Sequence, residues 1–194
     1  KLFSPVPHEL PDGRSSTLFD EFMIAMAGVP SRIQEGMLLL SGDVLLLFNP
    51  LQIDYSGNGA AAISFKEDVE TGKNHGVYLR GEDGNVARCL QKQPVELLRE
   101  VGAVNEQNCV DIDTGAVIFS PDMLNSLYYM MEGHESEYIN DHVRLSLYAD
   151  FLYPLGSDAT LEQFYKEKPE GDYSQELTAC REQIWNILRP YRMK

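Results

Sequence analysis

Short apolar runs alternate along the chain with stretches in which apolar residues recur at helical spacing. Apolar runs bounded by Gly, Pro, Asn or Asp are typical of β-strands. They predict strands at residues 37–40, 60–65, 77–80, 86–91 and 109–119. The segment Gly-Glu-Asp-Gly-Asn at 81–85 lies between two of these strands and predicts a hairpin.

Apolar residues spaced three and four apart predict helices. These helices are expected at about 18–27, 94–101, 123–131, 139–155, 161–166 and 174–188. Strands and helices alternate through most of the chain and helices close it, which predicts an α/β fold with a largely parallel or mixed sheet. The runs 37–40 and 117–119 lack polar alternation, as do strands that are covered on both faces.

Composition and charge exclude several classes of protein. The 194 residues suffice for one compact domain, or for part of a larger one. A net charge of −14 argues against a surface that binds nucleic acid or anionic membranes, but a pocket for a small anion needs only a few local cations. No apolar run is long enough to span a membrane, and Cys89, Cys109 and Cys180 are spaced as reduced thiols of a cytoplasmic protein.

A carboxylate interrupts the apolar stretch 38–48. Ser41-Gly42-Asp43 follows the first predicted strand directly, so we expect a turn there, with residues 44–48 continuing as core. Ligands of α/β sheets bind beyond the carboxyl ends of strands, where Gly42 would let a ligand approach the backbone and Asp43 would suit Mg²⁺. The alternative is a simple turn in which Asp43 accepts hydrogen bonds from the backbone.

A second acidic cluster lies in the long strand 109–119. Residues two apart share one face of a strand, so Asp111, Asp113 and Gly115 point the same way. Two such carboxylates on an inner strand repel each other unless a cation or ligand hydroxyl groups lie between them. The alternative is an edge strand that exposes both carboxylates to solvent.

Three further residues are candidates on weaker patterns. Lys92 lies where a strand ends and a helix begins, where its ammonium group would suit a phosphate or would simply be solvated. Gly76 begins a strand and would bring backbone close to a base or sugar, unless it belongs to a plain loop. Asp150 lies in a helical stretch, where capping or solvation is the ordinary role.

Taken in order, these stretches resemble the fucose-1-phosphate guanylyltransferase (GDP-fucose pyrophosphorylase) family. The closest likeness is to the pyrophosphorylase half of bifunctional enzymes that also carry an L-fucokinase domain. The stretches that carry the resemblance lie at residues 1–7, 41–48, 76–78, 90–94, 111–119 and 144–151.

The resemblance implies a Rossmann-like mixed sheet of the nucleotide-diphospho-sugar transferase type, with C-terminal helices. Asp43 corresponds to the carboxylate that binds the metal, and Lys92 to the lysine that binds the sugar phosphate. The segment Asp113-Thr114-Gly115 stands where the family's sugar-contacting strand lies, and Lys1 resembles the last residue of its Gly-rich nucleotide loop. Gly42, Gly76 and Asp111 are further expected substrate contacts, and Asp150 is a second candidate metal ligand.

The implied reaction joins GTP and L-fucose 1-phosphate into GDP-L-fucose with release of pyrophosphate, aided by Mg²⁺. Since the chain starts at Lys1 without an initiator Met, we expect a fragment of one nucleotidyltransferase domain that lacks the Gly-rich loop and any attached fucokinase. Such a fragment is expected to be poorly active alone. The alternatives are a transferase for another sugar 1-phosphate, or a non-catalytic module that regulates an attached kinase.

Overall fold

The computed structural model describes residues 13, 15–27, 36–42, 44–54, 57–140, 142–169 and 171–194. They group into two compact units. The sheet unit contains the described residues within 36–120, 155–159 and 191–194. The helical unit contains those within 1–35, 121–154 and 160–190. No helix of the described ranges combines the length and the apolar character that crossing a membrane requires.

The sheet unit is built on a six-stranded mixed sheet. Its strands stand in the spatial order β4-β3-β5-β2-β6, and β1 also pairs with β5. Only β2 and β6 pair in parallel, so antiparallel pairs dominate. The strands are β1 (Met37–Leu40), β2 (Gly59–Asp68), β3 (Gly76–Arg80), β4 (Val86–Gln91), β5 (Cys109–Phe119) and β6 (Arg192–Met193). The mixed α/β architecture confirms the predicted class and is consistent with a Rossmann-like fold.

The central strand β5 separates an apolar face from a more polar one. Alternate residues of its first half, beginning at Val110, are buried, and those between them are half-buried. The apolar face packs against α2 (Val69–Gly72) and α3 (Val95–Glu100). The core formed there consists of Val69, Val77, Leu98, Val110 and Ile112. Alternation in the sequence therefore identified correctly which side of β5 faces the core.

The expectation that residues 44–48 form core is wrong. Leu45 and Leu47 are 87% and 90% exposed, and the segment has no strand among its described residues. A short 3₁₀ turn at Pro50–Gln52 follows, in which Leu51 is 92% exposed. An apolar run becomes core only where another element covers it, and nothing in the sheet unit covers this run.

The helical unit contains five α-helices: α1 (Leu18–Ala27), α4 (Pro121–Met131), α5 (Glu135–Tyr138), α6 (Leu161–Lys166) and α7 (Gln175–Leu188). Side-chain caps fix two of their starts, because Thr160 accepts a hydrogen bond from the N–H of Gln163 and Ser174 accepts one from Leu177. Both caps stand where the sequence predicts the helix to begin.

The long helix expected over 139–155 is largely wrong. The structure has a π-helical segment at Leu147–Leu152 and a 3₁₀ turn at Tyr153–Leu155 instead. Ahead of them, Asn140 Oδ1 accepts hydrogen bonds from the N–H groups of His142 and Val143. Such local side-chain bonds compete with the backbone bonds of a helix, which explains why the helical periodicity misled here.

A buried ion pair lies inside the helical unit. Nε of Arg181 donates to Oδ1 of Asp150 at 2.6 Å, and both side chains are almost fully buried. The same guanidinium donates to the carbonyl oxygens of Phe164 and Glu167 and lies 4.6 Å from the centre of the Phe164 ring. Asp150 Oδ2 accepts from the N–H of Ser146 at 2.7 Å. These contacts compensate both charges away from water.

The three cysteines are free thiols, as expected from their spacing. Burial, with the carboxylates of Glu137 and Glu176 nearby, raises the pKa of Cys180 to about 11. That thiol therefore stays protonated at neutral pH and has the packing role of a small apolar side chain.

We expect Asp150→Ala to lower the free energy of unfolding by about 3–5 kcal/mol, because the variant leaves the Arg181 charge buried without its partner. Urea denaturation followed by circular dichroism measures the change. The matched control is Glu162→Ala, which removes an exposed ion pair with Lys166 and is expected to leave the midpoint almost unchanged. Equal effects of the two variants would contradict the stabilising role of the buried pair.

Candidate active site

One edge of β5 is shared by two strands that do not meet. β1 pairs with β5 from Leu40 opposite Ala116 onward, and β3 pairs with it from Val77 opposite Ile112. Both strands run antiparallel to β5, so the end of β1 faces the beginning of β3 along this edge. Residues 113–115 of β5 lie opposite the gap between β1 and β3. We call this place the strand gap. The carboxyl end of β4 is adjacent, and strand ends of this kind are where α/β sheets bind ligands.

A bulge in β5 lies at the same position on its other edge. β2 pairs with β5 up to Asp113 and again from Ala116, which leaves Thr114 and Gly115 without partners in β2. The hydroxyl of Thr114 donates to the carbonyl oxygen of Ile63 at 2.6 Å and so replaces a missing ladder bond. Gly115 adopts a left-handed backbone with φ of +68°, which few other residues tolerate. Strand gap and bulge together interrupt the sheet on both edges of β5.

Asp113 lies at the strand gap with an oriented carboxylate. Its Oδ1 accepts a hydrogen bond of 2.8 Å from the N–H of Gly115, an arrangement common to Asp in turns. A Cβ atom at Gly76 would lie 3.2 Å from Cβ of Asp113 and 2.9 Å from Nε2 of Gln91. Gly76 thus lies in close contact with both neighbouring strands, with Gln91 on one side and Asp113 on the other.

Lys92 follows β4 directly and reaches the same region. Its backbone is left-handed, with φ of +47°, which costs strain in a non-glycine residue and is enriched at functional sites. Its N–H donates to the carbonyl oxygen of His75 at 3.0 Å, which ties the end of β4 to the residue before Gly76. The side chain of Lys92 is exposed, so its ammonium group is accessible to an anion.

Asp111 and Asp113 share a face of β5, as alternation predicts, and the edge-strand alternative is excluded because β5 is paired on both sides. Asp111 forms an ion pair of 3.0 Å with Lys66. The Lys66 ammonium group compensates the charge of Asp111, so no ligand is needed to explain this carboxylate. Its assignment as a substrate contact stays a prediction.

Two of the expected site residues make contacts that give them a structural role. Thr114 is 3% exposed and its hydroxyl is bound to Ile63, so it holds the bulge and we leave it out of the proposed substrate contacts. Asp150 belongs to the helical unit, where Arg181 compensates its charge. A metal ion is not needed to explain that carboxylate, and we do not retain Asp150 as a ligand.

Asp43 and Lys1 lie outside the described residues. Gly42 is described: it is exposed, and a Cβ atom there would meet nothing within 4 Å. Two contributors that sequence reasoning missed are Ser41 and Gln91, which contact the residues of the strand gap. Each was identifiable as the polar residue at the end of a predicted strand.

Asp113 is the one carboxylate that the described residues supply at the strand gap, so Mg²⁺ stays an expectation there. Mg²⁺ prefers oxygen ligands and typically takes one or two carboxylates together with substrate phosphate oxygens. Asp113 supplies carboxylate oxygens, and Asp43 is the second residue after Ser41 in the sequence. The described ranges contain no group of three His, Cys, Asp or Glu side chains that could hold a metal, so a complete protein-built cage is not formed by these residues.

Comparison with known proteins assigns a family to this arrangement. A family model described as the fucose pyrophosphorylase domain matches residues 1–194. A curated relative from Arabidopsis thaliana, named bifunctional fucokinase/GDP-fucose pyrophosphorylase, is 25% identical over 131 residues, a match covering 60% of this chain. The match covers 12% of that relative's length.

We expect Thr114→Val to lower the free energy of unfolding by about 1–3 kcal/mol, because the Ile63 carbonyl in the bulge loses its donor. Chemical denaturation measures the change. Thr178→Val is the matched control, since the Thr178 hydroxyl donates to Ser174 on an exposed helix surface where water replaces it. A cost no larger than that of the control would show that the bulge does not depend on the Thr114 hydroxyl.

Proposed function

Since this chain belongs to the fucose pyrophosphorylase domain family, which indicates a nucleotidyltransferase role, we propose that it forms GDP-L-fucose and pyrophosphate from GTP and L-fucose 1-phosphate. The observation that carries the proposal is the strand gap. There β1 ends and β3 begins beside Asp113 and the bulge of β5, β4 ends next to the start of β3, and Gly42 and Lys92 follow the ends of β1 and β4 in the sequence.

In this proposal the sugar phosphate binds at the strand gap, next to the carboxyl end of β4. The carboxylate of Asp113 accepts hydrogen bonds from sugar hydroxyl groups, and its orientation is held by the N–H of Gly115. The ammonium group of Lys92 binds the phosphate as a point charge. Gly76 leaves room for the Asp113 side chain, because a Cβ atom there would crowd the Cβ atom of Asp113 at 3.2 Å.

The reaction is an in-line displacement at phosphorus. A phosphate oxygen of L-fucose 1-phosphate attacks the α-phosphorus of GTP, the bond from that phosphorus to the bridging oxygen breaks, and pyrophosphate leaves. Such a transfer depends on positioning and charge compensation more than on proton transfer. Asp43 would hold Mg²⁺, which supplies charge compensation to the phosphate oxygens when bound.

The Arabidopsis relative is named for a fucokinase activity as well as a pyrophosphorylase activity. We propose that L-fucose 1-phosphate reaches this site from such a kinase, carried in the same polypeptide. The two reactions would then be consecutive, because the product of the kinase is the substrate consumed here.

A substrate panel tests the proposal in the full-length natural protein. We expect pyrophosphate release to be fastest with GTP and L-fucose 1-phosphate, and to be lost in Asp43→Ala. Four nucleoside triphosphates are combined with the 1-phosphates of L-fucose, D-mannose and D-glucose. Faster pyrophosphate release with another nucleoside triphosphate and sugar 1-phosphate would indicate a transferase specific for that sugar 1-phosphate. Absence of both turnover and Mg²⁺-dependent GTP binding would favour a non-catalytic module.

We expect Lys92→Ala to raise the KM for L-fucose 1-phosphate about tenfold, since one charge-assisted contact to phosphate is worth about 1.5–3 kcal/mol. The KM for GTP is expected to change much less. Steady-state kinetics with each substrate varied in turn measures both values. Lys166→Ala, on the exposed surface of α6, is the control for loss of a positive charge. Equal increases for the two substrates would contradict a specific contact to the sugar phosphate.

A further inference from the structure

A small apolar pocket opens on the helical unit between α1, α4 and α5. Its volume is about 140 Å³, and its floor is formed by Met23, Ile24, Met131 and Ile139. Met23 and Met131 are 4% and 3% exposed, so the floor belongs to the core of the unit. We call this cavity the α1–α4 pocket. An apolar cavity of about this size accommodates one group as large as benzene, which is the bulk of a single side chain.

The mouth of the α1–α4 pocket is negatively charged. Glu132 and Glu135 line it with exposed side chains, and the Tyr128 hydroxyl donates to Oε1 of Glu132 at 3.5 Å. Burial raises the pKa of Tyr128, and the carboxylates of Glu132 and Glu135 add to this effect, which places both charges near that hydroxyl. The pocket therefore combines an apolar floor with two negative charges at its opening.

The two carboxylates at the mouth lack a cationic partner within the part of the chain that the structure describes. Neither Glu132 nor Glu135 forms an ion pair there, and the nearby imidazole of His134 is bound to Glu137. α4 ends at Met131 with no basic residue in its last turn, although the carbonyl groups at a helix C-terminus carry a partial negative charge. Two carboxylates and a helix end therefore attract a cation to one apolar opening.

A lysine side chain matches both parts of this pocket. Its four-carbon stem is apolar and can be buried along apolar surface while the ammonium group stays at the opening. There the ammonium group would meet Glu132 and Glu135, whose charges would repel an acidic side chain. An uncharged aliphatic side chain would fill the floor but leave both carboxylates without compensation.

The surface beside the α1–α4 pocket suits a polypeptide. Tyr129 is 70% exposed, and its ring lies 5.8 Å from that of Tyr128 in an edge-to-face arrangement. Ile24, which also lines the pocket, is 41% exposed. Exposed tyrosines are enriched in protein interfaces, because the ring is apolar and its hydroxyl is polar. The net charge of −14 also favours encounter with a basic partner over an acidic one.

We propose that the α1–α4 pocket is a docking site for a lysine-bearing segment of a partner protein. One lysine inserts its stem over Met23 and Met131, and its ammonium group pairs with Glu132 and Glu135. Tyr129 packs against the residues that flank this lysine. The site belongs to the helical unit and does not depend on the function proposed for the strand gap.

The first experiment uses n-butylammonium, which reproduces the lysine side chain, as the probe. The full-length natural protein carries carbon-13 in its methionine methyl groups, so that Met23 and Met131 report on the pocket by NMR at constant ionic strength. We expect both resonances to shift in a saturable way. Methylammonium keeps the charge without the stem and should bind more than about tenfold more weakly, because most of the buried apolar surface is lost. Absence of a saturable shift with n-butylammonium would overturn the proposal.

Charge variants separate the pocket from the general negative field of the protein. Glu132→Gln/Glu135→Gln keeps the size of both side chains and is expected to weaken binding of n-butylammonium about fivefold. Glu137→Gln is the matched control, since it removes an exposed carboxylate of α5 that is paired with His134 and does not line the pocket. Equal weakening by the double variant and the control would overturn a contact at the pocket.

A filling variant tests the apolar floor while both charges remain. Ile24→Trp places a larger side chain at the exposed rim, where circular dichroism is expected to show a folded protein. This variant should abolish the saturable shift of Met131 with n-butylammonium, because the stem no longer has room. An unchanged shift in the folded variant would show that the cation binds elsewhere and would overturn the proposal.

A peptide distinguishes a protein partner from a free amine. The probe is the acetylated pentapeptide amide Ala-Leu-Lys-Leu-Ala, which should bind more tightly than n-butylammonium and lose binding when norleucine replaces its lysine. We expect Tyr129→Ala to weaken the peptide about fivefold, as for a moderate interface contact, and to leave n-butylammonium unchanged. A peptide that binds no more tightly than n-butylammonium, or that is insensitive to Tyr129→Ala, would indicate a site for free ammonium ions and overturn docking of a protein.

Discussion

Two strands occupy the same edge of β5, and neither continues past the other. β1 pairs with its second half and β3 with its beginning, so residues 113–115 of the central strand have no ladder partner in either strand. Backbone groups left unpaired in a sheet need other partners. Oδ1 of Asp113 accepts from the N–H of Gly115, and the N–H of Ser41 donates to the Gly115 carbonyl oxygen. At the bulge on the opposite edge, the Thr114 hydroxyl donates to the carbonyl oxygen of Ile63. The polar residues of the candidate site are thus also the residues that make the break in the sheet stable.

This arrangement suits chemistry on anions in an acidic protein. With a net charge of −14, the chain as a whole repels nucleotide and sugar phosphates, and salt screens that repulsion beyond about 8–10 Å. Binding must therefore come from local contacts at the strand gap. Lys92 and a divalent cation held by Asp43 are the groups proposed to provide them. Two other cations are already paired within the protein, Lys66 with Asp111 and Arg181 with Asp150.

The spacing of apolar residues predicted most helices and strands, because it depends only on which face of a single segment is buried. The strand at 109–119, the hairpin around Gly84 and the helix at 161–166 agree with the structure. The prediction failed where the burial or the conformation of a segment depends on contacts beyond the segment itself. Residues 44–48 are as apolar as a buried strand but are largely exposed. In the stretch 139–155, Asn140 accepts the hydrogen bonds of a turn, and helical structure begins only at Leu147.

The class of fold, the shared face of Asp111 and Asp113 and the resemblance to the family could all be predicted from the sequence, whereas the bulge that interrupts the alternation at Gly115 could not. Only the tertiary structure decided how those residues act. In the structure the Thr114 hydroxyl bonds the Ile63 carbonyl at the bulge, and Asp150 forms an ion pair with Arg181. Ser41 occupies the space where a side chain at Gly115 would lie. These contacts join residues far apart in the chain, and spacing along a sequence carries no information on which distant segments pack together.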